Sequence, residues 1–152
     1  MNTRNRFASI AMLGVMVVMG SSSQMWADQQ TRFRARQNKL INGFEAELRG
    51  DYRESHSPVR LNVELEKLNL PAGTKVAFCL LHDGVKSLLG VSAVSVEGGV
   101  SVAELELEAN DGDMVPKVAV GDVLQARQRT TSPFLASPNC MSGQLIAAPF
   151  TK

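Results

Sequence analysis

The chain reads as an all-β protein, an antiparallel β-sandwich of seven or eight strands, and three observations predict it. Apolar residues alternate with polar ones: Leu61, Val63 and Leu65 with Asn62, Glu64 and Glu66, and Leu105 and Leu107 with Glu104, Glu106 and Glu108. A period of two is the mark of a half-buried strand. Glycines punctuate these runs at intervals that suit turns, and no stretch after residue 27 shows the spacing of an amphipathic helix.

Taken in order, the pattern predicts strands at about 31–37, 43–54, 58–67, 74–82, 85–96, 100–108, 117–129 (with a break at Gly121) and 143–150. Gln37-Asn38-Lys39 is expected to be turn or frayed end. Asp83-Gly84 between two apolar runs is a two-residue hairpin signal, because a type I′ turn needs positive φ at both central positions. Closing there pairs His82 with Val85, Leu80 with Ser87, Phe78 with Leu89 and Val76 with Val91. At the next hairpin a two-residue loop, Gly98-Gly99, would set Val91 against Glu106 and Ala93 against Glu104. Buried carboxylates are costly, so a three-residue loop, Glu97-Gly98-Gly99, is expected, with Leu89 facing Leu107, Val91 facing Leu105 and Ala93 facing Ala103. A bulge within the strand is the alternative. The outer face of this meander carries Ala77, Cys79, Leu81 and Leu88. That apolar strip wants a cover, which the proline-containing stretch 130–142, with Phe134, Leu135 and Cys140, is placed to supply as a flap.

The first 27 residues carry an address. Arg4 and Arg6 precede an apolar run from Phe7 to Gly20, followed by small and polar residues ending at Ala27. This is the layout of a secretory signal peptide, and the run falls short of the roughly 20 apolar residues that span a bilayer. Residues 28–152 then form a single domain in the periplasm or outside the cell. The 16 Lys+Arg nearly balance the 15 Asp+Glu, so no strong field exists to hold nucleic acid or, after cleavage, an anionic membrane. Arg32, Arg34, Arg36, Arg49, Arg53 and Arg60 lean towards the N-terminal part and read as solvated strand faces in preference to an anion-binding patch. An oxidising compartment makes Cys79 and Cys140 candidates for one disulfide.

Leu68 to Leu80, LNLPAGTKVAFCL, resembles the corner before a late strand in fibronectin type III and other immunoglobulin-like sandwiches, although Lys75 and Val76 stand where an aromatic usually follows the threonine. Asp51-Tyr52-Arg53-Glu54, Val63-Glu64-Leu65-Glu66, Leu70-Pro71-Ala72-Gly73-Thr74, Asp111-Gly112-Asp113 and Val120-Gly121-Asp122 are similar to modules of exported bacterial proteins, over residues 44–127. The resemblance implies an immunoglobulin-like fold and carries no catalytic residue.

The chemistry-bearing residues are sparse. His56 and His82 are too few for a histidine-rich copper or zinc site. A hydrolytic triad would need one of them oriented by a carboxylate and touching a serine, and His82 is expected to be exposed beside its turn. Glu104, Glu106 and Glu108 stand about 7 Å apart along a strand, the spacing of an inverting glycosidase pair, but the only tyrosine is Tyr52 and Trp26 leaves with the leader. Asp111 and Asp113 offer the hard oxygen ligands that Ca²⁺ takes; an ordinary turn has the same composition. No catalytic or cofactor-binding residue is assigned. The expected function is an exported, non-catalytic binding or structural module of the cell envelope, its partner an envelope protein or polysaccharide. The alternatives are a small secreted enzyme or inhibitor with a loop-borne site and a calcium-dependent adhesion module. Protein recovered from the exported fraction should have the intact mass of a chain beginning at Asp28; a mass retaining Met1 overturns export.

Overall fold

The computed structural model describes residues 31–54, 58–128 and 139–152. The expected leader, His56 and most of the expected flap, including Phe134 and Leu135, lie outside the described residues. Nine strands are present there: β1 (Thr31–Ile41), β2 (Phe44–Glu54), β3 (Arg60–Glu66), β4 (Lys75–His82), β5 (Val85–Ala93), β6 (Ser95–Glu97), β7 (Val100–Glu108), β8 (Val123–Gln128) and β9 (Gly143–Thr151). Every pairing is antiparallel, and the order across the sheet is β5-β4-β8-β9-β1-β2-β3-β7-β6. The all-β antiparallel expectation holds, and each of the eight expected stretches overlaps an observed strand. Nine strands stand where seven or eight are expected, and they form one connected, nearly barrel-shaped sheet.

The closure comes from one stretch of chain. β5 and β6 stand at opposite ends of the sheet order, yet only Val94 separates them in sequence. The stretch 85–97 thus begins as the partner of β4 and finishes as the partner of β7. Val94 is held at the bend by two backbone bonds: its N–H donates to Thr74 O and its carbonyl accepts from Gly73 N–H, both at 2.8 Å. Its side chain is buried in the core.

This bend corrects the expected registers. The Asp83-Gly84 turn pairs His82 with Val85 and Leu80 with Ser87 as expected. A bulge then shifts the ladder, so Cys79 meets Leu88 but Phe78 meets Gly90, and Val76 meets Ser92 in place of Val91. At the next hairpin Glu97 pairs with Val100, so the loop is the two-residue Gly98-Gly99, not the three-residue one. Carboxylates would be buried by that loop only if the strand continued along β7. It leaves at Val94, so Val91 and Ala93 pair with Ala77 and Lys75 and never meet Glu106 or Glu104. At the other end of the chain, β1 runs straight through Gln37-Asn38-Lys39 to Ile41, and the turn is Asn42-Gly43, with φ of 50° and 83°. The expected strand 117–129 shortens to β8, beginning after Gly121.

Alternation builds the interior. Phe33 and Ala35 on β1, Leu48 and Tyr52 on β2, Leu61, Val63 and Leu65 on β3, Phe78 and Leu80 on β4, and Ile146 and Phe150 on β9 converge on one core. Each large side chain buried this way contributes roughly 1.5–3 kcal/mol. Two glycines let the walls approach. A Cβ on Gly50 would lie 2.8 Å from Leu124 and 3.0 Å from Phe150, and one on Gly90 would lie 2.8 Å from Leu105. The second contact draws β5 against β7 where no ladder joins them. Gly50→Val and Leu105→Asp should therefore each lower the unfolding free energy, the glycine change by about 1–3 kcal/mol through overpacking, while exposed Glu106→Ala should stay within about 0.5 kcal/mol. Urea unfolding of the three variants checks this; equal midpoints would mean that the faces are assigned backwards.

Candidate functional site

The outward residues of β1, β2, β3 and β7 fall into rows across the strands. One row reads Arg34, Asp51, Asn62, Glu106, and the next reads Arg36, Arg49, Glu64, Glu104. Between them lies the row Ala35, Gly50, Val63, Leu105, whose side chains turn inward and leave bare backbone on the outside. The result is a groove of about 440 Å³ across the four strands, with the two polar rows as walls. Strands stand about 4.8 Å apart, so β1 to β7 spans roughly 14 Å. One end of the groove is arginine and the other is glutamate.

Most of the charges along the walls are already matched. Asp51 receives bidentate bonds from Arg32 at 2.7 Å and further bonds from Arg53. Burial pushes its carboxyl up, but the two guanidinium groups outweigh burial and hold it below the usual range. Next to the groove, buried Glu47 is gripped by Arg49 at 2.9 Å and Arg36 at 2.6 Å. The Arg49 hydrogen bond above all lowers its pKa, and the charge of Arg36 adds to this against the cost of burial. Arg49 also reaches Glu66 and Glu64, at 3.3 and 3.7 Å. Glu108 closes on Arg60 at 2.8 Å. Among the described residues, Arg34, Glu104 and Glu106 are left without an ion pair, at the two ends of the groove.

Glu64, on one wall, resists ionisation. Partial burial, the hydrogen bond and charge of Glu66, and the charge of Glu104 outweigh Arg49 and push it up to about 7. Near neutral pH this wall therefore exchanges a proton.

The other sequence candidates are placed elsewhere. His82 is exposed as expected, and its Nδ1 lies 2.8 and 2.9 Å from the two oxygens of buried Asp122. The hydrogen bond to Asp122, the charge of Asp122 and that of Asp83 raise the pKa of His82. The carboxylate half of a triad is thus present, but Nε2 faces Asp83 at 3.4 Å, not a serine. Asp122 also accepts from Ala119 N–H at 2.8 Å, which anchors the turn before β8. Asp111 closes a short 3₁₀ turn, and Asp113 accepts from Glu108 N–H at 3.1 Å, so that carboxylate is engaged by backbone. Among the described residues no group of three or more His, Cys, Asp or Glu gathers to hold a metal ion. Tyr52 is buried and stacks on Phe33, with ring centroids 6.1 Å apart. It offers no platform beside the glutamates. Cys79 and Cys140 are joined as a disulfide, Cα atoms 5.8 Å apart, which ties the residues before β9 to the outer face of β4.

In the sequence the arginines and the glutamates each read as a solvated face. The missed signal is the pair of alternations, Arg32-x-Arg34-x-Arg36 and Glu104-x-Glu106-x-Glu108, which become a site only when β2 and β3 stand between them. Glu47 was missed because one charged residue in an alternating strand looks like any other.

The chain matches no protein-family model, no curated protein and no solved structure.

The raised pKa of Glu64 sets a direction. A carboxyl whose folded pKa lies above its unfolded value contributes stability below the ordinary carboxylate range, and that contribution is lost as pH rises through about 7. Glu64→Gln removes the loss. Between about pH 5 and pH 8 the melting midpoint of Glu64→Gln should move upward relative to the native protein; a difference that does not change with pH would rule out the shift.

Proposed function

We propose that this protein is an exported, non-catalytic binding module of the cell envelope and that the groove across β1, β2, β3 and β7 is its binding site. The observation that carries the reading is the groove itself, with arginine at one end and glutamate at the other. A face made only for solubility needs mixed charge, and it does not need a recessed floor of bare backbone with unmatched groups of opposite sign at its two ends. The matched ions between those ends hold the walls in place. Site residues locked by their neighbours lose less freedom when a ligand arrives.

The rest of the chain is consistent with this. The leader-like first 27 residues and the Cys79–Cys140 disulfide suit an oxidising compartment outside the cytoplasm. The likeness of Leu68–Leu80 to immunoglobulin-like and fibronectin type III corners fits a scaffold that presents a face for binding. On that finer reading β1, β2, β3, β6 and β7 form one layer, β4, β5, β8 and β9 the other, and the β1–β9 pairing joins them at an edge.

Cosedimentation with isolated envelope tests the proposal. The native mature protein should pellet with envelope fragments, and the double variant Arg34→Gln/Glu106→Gln should stay in the supernatant with an unchanged melting midpoint. Native protein that fails to pellet with membrane, cell-wall polymer and envelope-protein fractions alike would refute the reading.

A further inference from the structure

The groove is short, open and charged oppositely at its ends, and those properties define what fits it. We infer that it takes a short peptide with free ends, lying across the strands with its terminal carboxylate at Arg34 and its terminal ammonium between Glu104 and Glu106. This deepens the binding-module reading and rests on it.

Length comes first. The groove runs about 14 Å from β1 to β7, and an extended chain rises about 3.3 Å per residue, so roughly four residues bridge it. Charge comes second. Arg34 has no ion pair among the described residues, and its guanidinium can take a carboxylate with two parallel bonds. Glu104 and Glu106 are likewise unpaired among the described residues. They stand on neighbouring rows at one end, and an ammonium between them would meet both. The middle comes third. Asp51 is already neutralised by Arg32 and Arg53, and Asn62 beside it is exposed and uncharged. Its amide can both donate to and accept from a peptide bond. A purely anionic ligand would meet the glutamates at the far end, and a purely cationic one would meet Arg34 and Arg36. A second copy of this chain laid face to face could match the ends by rotation about an axis along the strands, but Arg53 would then oppose Arg60 and Glu47 would oppose Glu66.

Tetraalanine with free ends is the probe, compared with its N-acetylated and its C-amidated forms, by calorimetry and amide chemical-shift mapping on the full mature protein. Free tetraalanine should bind and shift the amides of Arg34, Asn62 and Glu106. Blocking either end should weaken binding about fivefold, the worth of one partly exposed ion pair. The variants assign the ends. Arg34→Gln should weaken the free and acetylated peptides but leave the amidated one unchanged, and Glu106→Gln should weaken the free and amidated peptides but leave the acetylated one unchanged. Both residues are exposed, and an unchanged melting midpoint will show that each variant folds. If all three peptides bind alike, or none binds, the inference fails. If none binds while the native protein still pellets with envelope through Arg34 and Glu106, the ligand class alone is wrong; if pelleting is also lost, the binding-module reading falls with it.

Discussion

The bend at Val94 is the constraint on which the rest of this structure depends. A strand that stayed with β4 would leave the sheet open, and one that stayed with β7 would press Val91 and Ala93 against carboxylates. Crossing from one neighbour to the other avoids both. Its cost is a broken ladder at Val94 and a bulge near Leu89, and the backbone bonds to Gly73 and Thr74 offset the first of these. Gly90 then admits Leu105, so β5 and β7 approach through side-chain contact where hydrogen bonds are missing. Closure removes most of the exposed edge that an open sheet would present.

Closure also decides which faces matter. With the apolar residues of β1, β2, β3 and β7 turned inward, their charged residues form the outer surface. Single ion pairs on such a surface are worth little. Here they are linked: Glu47 answers Arg36 and Arg49, and Arg49 reaches Glu64 and Glu66. The network matches charge in the middle of the groove and leaves the ends unmatched. The same grid serves solubility and, on the proposed reading, recognition.

The opposite wall is secured differently. On β8 the outward residues Gln125 and Arg127 are buried. Arg127 donates to Gln125 at 2.8 and 3.0 Å, to Gln144 at 3.2 Å and to the carbonyl of Ser142 at 2.7 Å. The disulfide joins Cys140 to Cys79 just beside this cluster, across a sequence separation of 61 residues. A link that closes so long a loop contributes about 4 kcal/mol through chain entropy. The residues before β9 are therefore held to the sheet twice, by a covalent bond and by a buried guanidinium.

The sequence by itself determined the strand class, most strand positions and the inward residues of β3, β4 and β7, because alternation is local and burial of a carboxylate is costly; on β5 the bulge turns Val91 and Ala93 to the other face. It also determined the Asp83-Gly84 hairpin, since a turn of that kind depends on its own two residues. The Asn42-Gly43 turn is just as local, but the polar run Gln37-Asn38-Lys39 before it has the composition of a turn as well. Tertiary structure alone decided the registers past Leu89, because they follow from where the strand changes partner, and no neighbour in sequence reports that. It decided the site for the same reason. Arg34 and Glu106 lie far apart along the chain, and only the pairing of β1 with β2, β2 with β3 and β3 with β7 sets them at the two ends of one groove.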